Sequence, residues 1–95
     1  MIAVIFTSQL QPTEIGYEEM ALLLEKSVQN QPGFIKMVSA RNKVGITVCY
    51  WENLDAIEAW RNNLEHQKAI SKGKSEWYSH YEVVIANVLK SYQHG

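Results

Sequence analysis

Apolar residues recur along the chain with two different periods, and the changes between them mark out its elements. Residues 1–10 are rich in Ile, Val and Phe over a run too short for a buried helix, and Gln11-Pro12-Thr13 closes it with turn chemistry. This predicts a first strand. Tyr17, Met20, Ala21, Leu24 and Val28 then fall on one helical face, while Glu18, Glu19, Glu25 and Gln29 take the other. The helix should stop at Asn30-Gln31-Pro32-Gly33, because the residue before proline resists helical dihedrals and glycine permits a reversal.

From Phe34 to Arg41 the pattern alternates, and Gly45 to Glu52 is dense in β-branched and aromatic residues. The short polar link Asn42-Lys43-Val44-Gly45 makes these two strands an antiparallel pair. Asn53 is suited to capping a helix, Asp55 sits in its positive first turn, and Ile57, Trp60, Arg61 and Leu64 share a face. The helical pattern resumes after Asn62-Asn63 with Leu64, Gln67, Ile70 and Trp77, interrupted by Gly73. This predicts a broken or bent helix from about Asn53 to His80. A last strand, Tyr81 to Tyr92, sets Val83, Ile85 and Leu89 against Val84, Ala86 and Val88, and leaves Gln93-His94-Gly95 as a loose end.

The order βαββαβ predicts an α+β, ferredoxin-like fold, in which a four-stranded antiparallel sheet carries both helices on one face. Its other face would be bare. Yet the first, third and fourth strands are apolar at both odd and even positions, which points to a second layer. Two copies stacked sheet on sheet, a symmetric homodimer, would supply it. The competing arrangement folds the second helical segment around to cover that face.

Ninety-five residues, 46% of them hydrophobic and 20% charged, suit one domain over 1–95. Nine Lys and Arg against ten Asp and Glu, a formal net charge of -1, give no electrostatic support for nucleic-acid binding. The apolar N-terminus has neither a basic region nor a small-residue cleavage site, and no run reaches the ~20 apolar residues of a membrane helix. The lone Cys49 lies in an apolar run as a buried thiol, and a cytoplasmic protein fits this set best.

Candidate chemistry narrows by elimination. His66, His80 and His94 share no ligand spacing, so no metal site is expected. Neither a nucleophile with a base beside it nor a glycine-rich phosphate loop is legible, and no cofactor is implied. What remains is aromatic: Tyr50, Trp51, Trp60, Trp77, Tyr78 and Tyr81 crowd the second half. Core packing is the commoner use of such residues. They could also wall a pocket for a hydrophobic or aromatic small molecule, with Thr7, Ser39, Arg41, Asn63 and His66 available to orient it.

The runs Gln31-Pro32-Gly33-Phe34, Ser39-Ala40-Arg41, Gly45 to Glu52, Ala56-Ile57-Glu58-Ala59-Trp60 and Glu65-His66 resemble the antibiotic biosynthesis monooxygenase (ABM) domain family over nearly the whole chain. The resemblance implies a dimeric α/β barrel of two ferredoxin-like chains. It also implies cofactor-independent oxidation of an aromatic or polycyclic small molecule by O2, with Trp60 as pocket wall and His66 and Arg41 as its polar partners. Other members degrade haem, using an Asn on the first strand, a Trp on the second helix and a His about ten residues beyond; here those places hold Thr7, Trp60 and Ile70, so the haem-binding or haem-degrading alternative would need His66, one turn earlier, as its iron ligand. A non-catalytic dimer that binds a small molecule is the remaining alternative.

Overall fold

A computed structural model describes residues 1–12, 16–72, 74 and 77–95. The described residues form β1 (Ile2–Leu10), α1 (Tyr17–Val28), β2 (Phe34–Arg41), β3 (Gly45–Trp51), α2 (Leu54–Arg61), α3 (Leu64–Lys72) and β4 (Tyr78–Asn87). The strands make one antiparallel sheet in the order β2-β3-β1-β4, the split-βαβ arrangement that the element order predicts.

Two turns set the frame. Gly33 takes φ +82°, where a side chain is strained, and its carbonyl accepts the Glu52 N–H at 2.8 Å. A Cβ on Gly33 would stand 2.5 Å from the Ala56 Cβ, so this glycine also lets α2 approach the start of β2. Asn53 caps α2, its side-chain oxygen accepting the Ala56 N–H at 2.9 Å.

The predicted bent helix resolves into two helices and the start of a strand. The chain breaks at Asn62–Asn63, and the Asn63 side chain accepts the His66 N–H at 3.4 Å to open α3. Gly73, the expected interruption, and Thr13 of the first turn lie outside the described residues. Tyr78, Ser79 and His80 belong to β4, because Leu10 and Gln9 of β1 offer them ladder partners. At the other end β4 stops at Asn87, opposite Ile2, and Val88 adds one further bond to the Met1 carbonyl at 3.1 Å. Among the described residues the predicted extension to Tyr92 therefore finds no strand to pair with, and Leu89 and Tyr92 are exposed.

Register assigns the two faces of the sheet. Val4 and Cys49 are directly paired and both pack on the core of Val28, Trp51 and Trp60, with Leu24, Phe34, Met37, Ala56 and Ile57 around it. Residues in phase with Val4 therefore face the helices, and Trp51, 1% exposed, is the centre of that layer. The opposite face carries the row Val38, Val48, Ile5, Val84 across all four strands. On it Val38, Ile46 and Val84 remain exposed, so no helix of the described residues wraps around to cover it.

Candidate functional site

On the helix-facing side, pairing stacks the side chains in rows spaced by about 7 Å, two residues of strand rise. The innermost row is Phe34, Trp51, Ile2 and Asn87, followed by Met37, Cys49, Val4 and Ile85. Next come Ser39, Thr47, Phe6 and Val83, and last Arg41, Gly45, Ser8 and Tyr81. Polarity thus rises from one end of the sheet to the other. The helical layer covers the β3 side best: on the same face Val83 is 48% and Ile85 50% exposed, leaving an apolar floor along β4 beside Phe6.

Aromatic rings gather where that floor meets the polar row. Phe6 stacks on Tyr81 with centroids 5.7 Å apart and meets Tyr78 edge-on at 5.4 Å. Tyr17, the first residue of α1, meets both Trp77 (5.6 Å) and Tyr78 (5.9 Å) edge-on. Tyr17 and Tyr78 also share a side-chain hydrogen bond. Burial, then the neighbouring Tyr17, raises the Tyr78 pKa above the usual 10, while Arg41 opposes the shift; Tyr78 is a neutral phenol at physiological pH.

Arg41 completes this end. Its guanidinium donates to the Ser8 carbonyl at 3.3 Å and to the Ser8 hydroxyl, and lies 5.4 Å from the centre of the Tyr17 ring. The side chain reaches Ser8 by crossing β3 above Gly45, where a Cβ would overlap the guanidinium. Ser8 is buried, whereas Arg41 keeps solvent contact. Next to this group, Ser39 and Thr47 hydroxyls are 3.0 Å apart.

Trp60 and His66 form a second group. Trp60 is buried at the end of α2, and the imidazole of His66, in the first turn of α3, stacks on its indole at 4.6 Å with planes 15° apart. His66 Nδ1 stands 3.2 Å from the Trp60 carbonyl oxygen. A carbonyl only accepts, so Nδ1 carries the proton and Nε2 keeps its lone pair. Burial first, and the charge of Arg61 last, lower the His66 pKa below 6.5, against the opposing pull of that carbonyl. The ring is neutral at pH 7.

The structure thus joins Trp60 to His66 and sets Arg41 apart from them: Trp60 packs with Trp51, whereas Arg41 lies on the row of Gly45, at the other end of β3. Of the other polar candidates, Thr7 is out of phase with Val4 and sits on the face away from the helices, and Asn63 is engaged as the α3 cap. Tyr17, Phe6 and Ser8 join the site without having been singled out; the first two read as core positions, and Ser8 is placed only by its register with Gly45. An open groove of about 390 Å³ lies elsewhere, between α1 and β2, lined by Glu25, Gln29, Phe34, Ile35, Lys36 and Met37. Burial raises the Cys49 pKa to about 11, so it is a thiol rather than a nucleophile. Among the described residues no three His, Cys, Asp or Glu converge as metal ligands, and no helix is long and apolar enough to cross a membrane.

Known proteins share this frame. The chain is 44% identical over 88 residues to the uncharacterized protein YqjZ of Bacillus subtilis, covering 90% of this chain and 77% of YqjZ. Its fold matches Rv0793 of Mycobacterium tuberculosis with a TM-score of 0.86 at 9% identity, over 97% of this chain and 98% of that one. It also matches SnoaB, a cofactor-independent oxygenase of Streptomyces nogalater, with a TM-score of 0.80 at 11% identity, over 95% and 94%. The sequence profile for antibiotic biosynthesis monooxygenases matches residues 1–72. With three-quarters of its length matched and its strands in the predicted order, the chain belongs to the antibiotic biosynthesis monooxygenase family.

Proposed function

We propose that this protein is a cofactor-independent monooxygenase that oxidises an aromatic or polycyclic phenol with O2, working as a homodimer. The observation that carries the reading is the neutral imidazole of His66, held flat on Trp60 with its proton committed to a carbonyl. Cofactor-free oxygenation needs a base to convert an acidic phenol or quinol into an electron-rich anion that reacts with O2 directly. His66 Nε2 has the lone pair for that step, and burial keeps it unprotonated at neutral pH. The substrate is its own reductant: one oxygen atom of O2 enters the product, and the other leaves as water with the two hydrogens that the substrate loses. Trp60 acts as wall, the exposed Val83 and Ile85 with Phe6 as an apolar floor, and Arg41 as a polar partner at the far end.

The haem-degrading reading finds less support. Ile70 has no donor atom, and Thr7 lies on the face of the sheet away from Trp60. Oxygen-electrode traces with a panel of anthrone- and naphthoquinol-type phenols test the proposal. Uptake above the buffer blank, lost in His66→Gln, is expected; traces at the blank level for the whole panel would overturn it.

A further inference from the structure

Arg41 is positioned more firmly than an exposed arginine needs to be. An exposed Arg side chain ordinarily samples many rotamers, and ordering it has an entropic cost. Here two hydrogen bonds to the buried Ser8 fix the guanidinium, Tyr17 lies against it, and Gly45 provides the clearance for it to cross β3. None of the partners it has among the described residues is a carboxylate: they are a hydroxyl, a carbonyl and a neutral ring. An ordered, solvent-reachable cation with no counter-charge among the described residues therefore stands at the rim of an aromatic surface.

That surface has one orientation relative to the charge. Across the row from Arg41 and Ser8 lies Tyr81, which stacks on Phe6 of the next row, and beside Phe6 is the exposed Val83. The row of Arg41, Ser8 and Tyr81 and the row of Phe6 and Val83 are two residues of strand rise apart, about 7 Å, the length scale of a fused two-ring system. We infer that Arg41, fixed by Ser8 above Gly45, is an anion subsite for the carboxylate of a planar aromatic acid whose rings lie along Tyr81, Phe6 and Val83. The planar guanidinium suits a carboxylate, which can take two parallel N–H donors. The subsite deepens the oxygenase reading by giving its substrate a permanent negative charge away from the reacting ring.

Calorimetric titration with 2-naphthoate and its uncharged analogue 2-naphthamide separates charge recognition from ring stacking. The wild-type protein is expected to bind the acid about ten-fold more tightly than the amide, the scale of one charge-assisted hydrogen bond. Arg41→Gln should erase that preference by lowering acid affinity to that of the amide, and Arg41→Lys should keep part of it. Ser8→Ala, which releases the guanidinium without removing its charge, should lower acid binding alone. Equal affinity of the wild type for the two compounds, or a preference that survives Arg41→Gln, would overturn the subsite. Because binding is read rather than turnover, the two proposals fail separately. A naphthoate preference without oxygen uptake sinks the oxygenase and keeps the subsite; uptake without the preference does the reverse.

Discussion

His66 and Trp60 are joined twice, ring on ring at 4.6 Å and Nδ1 to carbonyl oxygen at 3.2 Å. The stacking buries the imidazole and so favours its neutral form, the carbonyl contact pulls the other way, and burial outweighs it, which has a measurable consequence for folding. With its folded pKa below the ordinary 6.5, His66 is protonated more readily in the unfolded chain. Its contribution is complete above about pH 6.5 and is lost as pH falls below that value. Thermal melts between pH 7.5 and pH 5.5 should therefore show a steeper loss for wild type than for His66→Gln. Identical slopes would mean that the imidazole is not held neutral.

Gly45→Ala tests the crossing of β3. The glycine has ordinary extended dihedrals, so its role is clearance rather than conformation, and the added methyl would collide with the Arg41 guanidinium. The side chain can swing into solvent, so the stability loss should be small, about 1 kcal/mol. Acid recognition should fall as in Arg41→Gln, with circular dichroism unchanged. Full naphthoate affinity in this variant would show that Arg41 acts from another position.

Gly33 differs because both conformation and clearance demand it. Its φ of +82° and the 2.5 Å approach to the Ala56 Cβ should make Gly33→Ala cost about 2–3 kcal/mol. The double variant Gly33→Ala, Ala56→Gly removes the collision and leaves the backbone strain. It should recover part of the loss in urea unfolding, a coupling that independent sites would not show. Strict additivity would contradict the contact.

The order of elements along the chain, the β2–β3 hairpin, α1 and the Asn53 cap were legible because each follows from neighbours in sequence. The end of the second helical region was not. Leu64, Gln67, Ile70 and Trp77 keep a helical period, yet Tyr78 to His80 join β4 because β1 is long enough to pair with them. Tertiary pairing outweighs local period there. For the site, residue type offered only a wider set of aromatic and polar candidates, the family resemblance singled out Trp60, His66 and Arg41 among them, and their arrangement needed three dimensions. Ser8, Gly45 and Arg41 meet only through the combined register of three strands, and Tyr17, at a core-like helical position, meets Arg41 only because α1 lies above that row.

The open face of the sheet makes the final prediction. Val38, Val48, Ile5 and Val84 form a continuous apolar row, and the exposed Ile46 extends it. A second copy stacked on this face would bury the row in a symmetric contact. Light scattering at micromolar concentration should then give about 22 kDa, twice the 10.9 kDa chain. Val84→Asp should return the mass to that of one chain, since a carboxylate buried without a partner costs several kcal/mol. Val83→Asp is the control, because its neighbour position points to the helix side: dimer mass should persist while binding of naphthamide weakens. A wild-type mass of one chain would refute the stacked dimer. Dissociation by Val83→Asp rather than Val84→Asp would place the interface on the helix side, over the apolar floor assigned to the ligand.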